Sequence, residues 1–247
     1  MNSVRLNKFL AAAGISSRRH ADSLINAGKI TVNNLPARLG DKIDPAKDIV
    51  KFGNQEVKPG PGKHYYLLHK PVGVLSASSD DRHRSTVVGL INSPVRLFPV
   101  GRLDKDTTGL IILTNDGDFA LKLTHPRYHL PKTYLVTVKG RLPASKLSRL
   151  NHPFLLETGP TQPAQATIVS RQPDTTTLKI ILHEGKNRQI RRMLSACRLH
   201  LQALQRISIG PLSLGNLLPG HFRPLTPKEV CLLLQLCSNI NHDTAKR

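Results

Sequence analysis

The chain opens in helical rhythm and soon changes to the rhythm of strands. Leu6, Phe9, Leu10 and Ala13 recur at helical spacing, and Gly14 follows as a stop. Ser16 or Ser17 can cap a second helix, Arg18 to Asn26, which Gly28 ends. Lys29 to Asn33 is then a short strand, with Asn33-Asn34 a turn. Between Lys58 and Lys63, Pro and Gly punctuate the chain and no period survives, so this stretch reads as a linker. Beyond it the apolar runs are short. Tyr65 to Leu68 is a strand, and His69 to Val74 turns out of it. Ser76 to Arg84 is polar and reads as a mobile loop. Leu97 to Val100 and Gly109 to Thr114 are strands on either side of a polar stretch. Asn115-Asp116-Gly117 turns into a short helix, Asp118 to Leu123.

Thr133 to Lys139 alternates Tyr134, Val136 and Val138 with Leu135 and Thr137, the pattern of a half-buried strand. Ala164 to Ser170, Thr175 to His183, Leu201 to Ile209 and Leu212 to Leu214 supply further strands. Arg188 to Cys197 is helical: Ile190, Met193, Leu194 and Cys197 share one face, and Arg188, Arg191, Arg192 and Ser195 the other. Pro227 to Cys237 is a closing helix. Strands joined by turns, with helices added singly, predict an α+β fold with a mixed, mainly antiparallel sheet. The expected organisation is a small domain at 1–61, a larger one at 62–240 and a polar tail at 241–247.

Charge sharpens this picture. Of 247 residues, 36 are Lys or Arg and 16 are Asp or Glu, giving a net charge of +20. Self-repulsion of that size points to an anionic partner, and nucleic acid leads. A membrane surface explains the charge less well, since no basic amphipathic helix with a broad apolar face stands out. No stretch approaches the ~20 apolar residues of a spanning helix, and Met1 to Arg5 lacks the apolar core of a signal peptide. A cytoplasmic protein is expected. Cys197, Cys231 and Cys237 lack metal-site spacing, so neither a disulfide frame nor a metal site is expected.

The polar stretch between the strands is Gly101-Arg102-Leu103-Asp104-Lys105-Asp106-Thr107-Thr108-Gly109-Leu110. Two carboxylates, two cations and two hydroxyls cannot be a core strand. A loop held between buried strands is where a scaffold presents reactive groups. Asp104-x-Asp106-x-Thr108-Gly109 begins like a calcium loop, but Asn115 stands where the closing Glu should be and a strand follows instead of a helix. His125 and His129 are separated by Pro126, which denies them a shared helix face. A second basic stretch runs from Glu184 to Arg206, with six Lys or Arg against one acid, and suits phosphate.

Two resemblances follow from these residues. Leu6-Asn7-Lys8-Phe9-Leu10-Ala11 through Gly14-Ile15-Ser16-Ser17-Arg18-Arg19 resembles the opening of an S4 RNA-binding domain. Gly101-Arg102-Leu103-Asp104 with Thr108-Gly109-Leu110 resembles the signature of RNA pseudouridine synthases. Leu123 to Tyr128, Lys132-Thr133-Tyr134-Leu135-Val136 and Glu184 to Met193 are similar to the ribosomal-RNA branch that carries an S4 domain in front. The resemblance implies that Asp104 is the catalytic carboxylate, attacking either sugar or base. It implies that Tyr134 lies against the uracil and that Arg191, or else Arg188, pairs with Asp104 and aims it. Arg5, Lys8, Arg18, Arg19, Arg102, Lys186, Arg188 and Arg192 would hold RNA. No cofactor is implied. The implied partner is ribosomal RNA, 23S ahead of 16S, on an assembling subunit, with the protein acting as a monomer. The competing expectation is a non-catalytic ribosome-assembly protein with the same two domains.

Overall fold

The structure is a computed structural model that describes residues 3–157 and 159–244, with side chains of the last helix described through Ser238. The chain divides into two compact units: residues 1–64 with 93–96 and 115–117, and the remainder.

In the first unit, strand β1 (Val4–Arg5) leads into helix α1 (Leu6–Ala12), and helix α2 (Arg18–Asn26) follows. Ser17 is the cap of α2: its hydroxyl accepts from the His20 N–H at 3.2 Å. Next come β2 (Ile30–Val32), β3 (Leu35–Pro36), β4 (Lys42–Ile43), β5 (Val50–Phe52) and β6 (Gln55–Glu56). β1 pairs with β4, and the others form a sheet in the order β3-β2-β5-β6. Asn33 and Asn34 have φ of 51° and 66°. A two-residue hairpin between β2 and β3 needs that left-handed geometry, which Asn tolerates better than most residues. Leu6, Phe9, Leu10, Leu24, Ile25, Ile30, Ile43 and Val50 close the core. Sequence pattern anticipates the helices and β2, but not β3 to β6, whose two or three residues are too few to show alternation.

The second unit contains β7 (Tyr65–Lys70), β8 (Phe98–Val100), β9 (Thr108–Thr114) and α3 (Gly117–Thr124, from Asp118 onward). It continues with β10 (Lys132–Lys139), α4 (Ala144–Leu150), β11 (Leu155–Leu156), β12 (Gly159–Pro160), β13 (Gln165–Arg171) and β14 (Thr175–Leu182). Then come α5 (Gln189–Ala196), β15 (Leu201–Ile209), β16 (Leu212–Ser213), β17 (Phe222–Pro224) and α6 (Pro227–Thr244). Among the described residues the main sheet has nine strands: β13-β14-β10-β15-β9-β7-β17, with β16 hairpinned onto β15 and β8 onto β9. All pairs are antiparallel except β9 with β15. The fold is α+β with a mixed, mainly antiparallel sheet.

Two apolar cores lie along this sheet. Val136, Val138, Leu178 and Ile180 pack with Leu150 of α4 and Ile190, Met193 and Leu194 of α5. Leu67, Leu110 and Ile112 pack with Phe119 and Leu123 of α3 and Leu233 and Cys237 of α6. α6 runs past Cys237 to Thr244, through much of the stretch expected to be a tail. Neither Gly nor Pro stands in that stretch to stop it; residues 245–247 of the expected tail, like Met1 and Asn2, lie outside the described residues. Among the described residues no helix is long and apolar enough to cross a membrane.

Candidate active site

β8 and β9 are antiparallel neighbours, and the stretch from Gly101 to Thr107 is the loop that joins them. Three devices hold it. Gly101 takes φ of 75°, a turn that side chains resist. Ser76 donates its hydroxyl to the Leu103 carbonyl at 2.8 Å and accepts the Leu103 N–H at 3.0 Å. Lys70, fully buried at the end of β7, donates to the carbonyls of Pro71 and Thr107 at 2.8 Å and of Lys105 at 3.2 Å. Burial pushes the Lys70 amine down to about 8, and the charges of Asp106 and Asp104 oppose that shift.

Asp104 stands in this loop, partly exposed. Its Oδ2 lies 3.4 Å from Arg191 Nε and 3.5 Å from Arg188 Nη1. These are ion-pair distances rather than short hydrogen bonds. Both arginines come from the α5 region. Arg188 sits just before the helix with φ of 52°, so it leaves the helix face assigned to it from sequence and turns toward the carboxylate. Arg191 lies in the first turns of α5 and donates its Nη2 to Thr107 Oγ1 at 3.3 Å. The expectation of one arginine partner becomes two.

A cavity of about 370 Å³ opens beside Asp104. It lies where the two cores meet: Leu123, Leu130 and Ile209 line it on one hand, Leu182, Ile190 and Leu204 on the other. Tyr134 of β10 lines it too, opposite Arg206 in the ladder, with Lys132 two residues back on the same face of the strand. The register shifts between Thr133 and Tyr134, where Ile207 is an extra residue that bulges β15 beside Arg206. Lys132 donates to the Leu130 carbonyl at 3.0 Å. Its amine is pushed down to about 8, first by burial and then by the charge of Arg206. Arg206 is buried and donates its Nε to the Leu110 carbonyl at 2.8 Å. The aliphatic side chains suit the faces of a flat ring, and the many polar side chains among the lining residues suit its polar edge and the groups attached to it.

The structure brings Asp104, Tyr134, Arg191, Arg188, Arg102 and Lys186 together around this cavity. Arg102 is exposed, and Lys186 donates to the Pro160 carbonyl at 2.6 Å. Arg192 is not part of the lining; its Nη1 pairs with Glu157 at 3.1 Å. Arg5, Lys8, Arg18 and Arg19 belong to the first unit. Arg5 sits in β1 rather than on a helix; it, Arg18 and Arg19 are exposed, and Lys8 is half-buried. Sequence reasoning missed Lys70, Lys132 and Arg206. Lys70 closes a run otherwise apolar or aromatic, and Arg206 interrupts an alternating strand. A cation in a buried strand is itself the available signal.

Among the described residues no three His, Cys, Asp or Glu side chains are grouped as metal ligands. Residues 64–196 match the family described as RNA pseudouridylate synthase, and residues 4–50 match the S4 domain. A Bacillus subtilis protein named ribosomal large subunit pseudouridine synthase B is 42% identical, over 95% of this chain and 97% of its own. An Aquifex aeolicus protein named as an uncharacterized RNA pseudouridine synthase is 43% identical, over 95% of each chain. A crystal structure of a pseudouridylate synthase superimposes with a TM-score of 0.68 at 30% identity, over 93% of this chain and 99% of its own.

Proposed function

Since this chain belongs to the RNA pseudouridine synthase family and carries an S4 domain, we propose that it converts a specific uridine of 23S ribosomal RNA to pseudouridine, with Asp104 as its catalytic carboxylate. The reaction breaks the bond from C1′ of the ribose to N1 of uracil, turns the base, joins C1′ to C5 and removes the C5 proton while N1 gains one. It calls for a carboxylate at C1′ or at the base, an apolar slot for the turning ring and a group to accept the proton. It calls for no redox cofactor and no metal. Asp104 meets the first need, aimed by Arg191 and Arg188. The cavity meets the second. Tyr134 lies against the ring and serves in proton removal. Arg102 fills the gap left when the nucleotide flips out, a step that costs a few kcal/mol and is cheapest in an unpaired loop.

The observation that carries this reading is the carboxylate of Asp104, paired with Arg191 at 3.4 Å, at the edge of a cavity that Tyr134 lines. The choice of 23S RNA is supported by the name of the Bacillus subtilis relative, a ribosomal large subunit pseudouridine synthase. Arg5, Lys8, Arg18 and Arg19 grip flanking RNA through the S4 domain, and Lys186, Arg188 and Arg192 hold phosphates near the cavity. The protein acts as a monomer in the cytoplasm, on a subunit still being assembled.

The test offers purified protein naked 23S RNA, naked 16S RNA, transfer RNA and intact 50S subunits, with pseudouridine mapped in each. A single modified position in naked 23S RNA is expected. Modification confined to 16S or transfer RNA refutes the substrate, faster turnover on 50S subunits refutes the timing, and binding without modification favours an assembly factor.

A further inference from the structure

Among the described residues, no acid is paired with Lys132 or Arg206. Arg206 is only 3% exposed, and its Nη2 is buried with no hydrogen-bond partner. One of the three N–H groups of Lys132 is taken by the Leu130 carbonyl. The two acids lining the cavity are both engaged elsewhere: Asp104 faces Arg188 and Arg191, and Glu184 accepts from the Gln162 N–H at 2.9 Å and from Gln189 Nε2 at 2.7 Å. Arg206 acts on Lys132 as a like charge. Two neighbouring cations withdrawn from water are costly unless an anion joins them.

The proposed reaction makes such an anion. When C1′ leaves N1, the bonding electron pair stays on the ring and spreads over N1, O2 and O4. When instead the carboxylate attacks C6, the pair moves to O4. Either route puts negative charge on the carbonyl oxygens of the pyrimidine; forming C1′–C5 discharges it, and N1 takes up a proton as the C5 proton departs. Resting on the proposed reaction, the geometry points to Lys132 as a further catalytic residue, whose ammonium donates a hydrogen bond to a carbonyl oxygen of the uracil as the base becomes anionic. Arg206 is a positioning residue: across the ladder from Tyr134, it supplies the positive field of the recess and is itself fixed by Leu110. A donor placed where charge develops is worth more in the transition state than in the substrate complex. Lys132 therefore acts on turnover rather than on affinity for RNA.

The experiment compares the unaltered chain with Lys132→Met and Lys132→Arg under single-turnover conditions. One substrate is 23S RNA with tritium at C5 of uridine; the other is 23S RNA transcribed with 5-fluorouridine. Fluorine cannot leave as a cation, so the second substrate reports detachment and rejoining apart from proton removal. The expected result is a rate about 10²-fold lower for Lys132→Met on both substrates, RNA affinity within about threefold of the unaltered chain, and recovery of about tenfold in Lys132→Arg, which restores the charge. Tyr134→Phe should slow the tritium reaction alone. An unchanged rate for Lys132→Met overturns the assignment. So does a tenfold loss of affinity with an unchanged rate at saturation, which marks Lys132 as a phosphate ligand. Lys132→Gln replaces Lys132→Met if thermal melting shows the latter unfolded. If the unaltered chain modifies no RNA, the reaction fails and the subsite fails with it; if it does, the variants judge the subsite alone.

Discussion

Asp104 meets two arginines at nearly equal distance, but their surroundings make them unequal. Arg191 is 19% exposed and also holds Thr107, whereas Arg188 is 46% exposed. A charge pair gains strength as water is removed, and one held in water contributes little. Arg191→Gln should therefore lower kcat by roughly 10²-fold and Arg188→Gln by less than about tenfold; equal losses in steady-state kinetics would contradict this. Asp104→Asn keeps shape and removes charge. It should abolish tritium release from C5 while RNA affinity and melting temperature stay close to those of the unaltered chain. Residual activity near normal would remove Asp104 from its role. Residues also mark where sequence is legible. Asp104 stood out because a carboxylate between two apolar strands cannot be core. Lys70 did not, because its value lies in three carbonyls contributed by Pro71, Lys105 and Thr107, which only folding brings to it.

Among the elements, β9 and β15 decide whether the site exists. Gly109 has φ of 113°, and a Cβ there would lie 2.2 Å from the Arg206 carbonyl oxygen and 2.6 Å from its nitrogen. No rotamer relieves a clash with backbone. Gly109→Ala should cost roughly 3 kcal/mol or more, read as a lowered denaturation midpoint, and should displace Arg206 from the cavity. Sequence placed β9 and β15 nearly residue for residue, since β9 is a continuous apolar run and β15 mixes apolar with polar residues along a long strand. It could not show that they pair in parallel, because periodicity carries no information on neighbours. α6 shows the local kind of signal at its best. Thr226 accepts the Glu229 N–H at 3.2 Å, while Glu229 accepts the Thr226 N–H at 2.8 Å, a reciprocal cap with Pro227 in the first position. Hydrogen bonds from Arg223, then from Thr226, lower the Glu229 carboxyl to about 2. The folded value lies below the unfolded one, near 4.5. Its contribution is thus complete above that value and lost as pH falls toward 2. Glu229→Gln should lower stability by about 1 kcal/mol at pH 7 and by much less at pH 2.5, measured by thermal melting.

At the scale of the whole molecule, the charge of +20 is a statement about RNA. Arg18 and Arg19 are exposed on the S4 domain. If each neutralises a phosphate, replacing both with Ala should reduce the slope of log affinity against log salt by about 1.4–1.8 without changing kcat. An unchanged slope in filter binding would show that these side chains do not touch RNA. The second unit raises a different matter, that of time. Thr108 and Gly109 pair with Gln205 and Arg206, so the two strands that frame the cavity are made far apart during synthesis. Contacts between distant stretches of chain form slowly, because a long loop must close first. Until β15 leaves the ribosome, Thr108 and Gly109 lack their parallel partner, and β10, which carries Val136 and Val138, has one unpaired edge. A nascent chain ending before Leu201 should therefore be captured by chaperones or aggregate, and an enzyme that modifies RNA would be slow to finish itself.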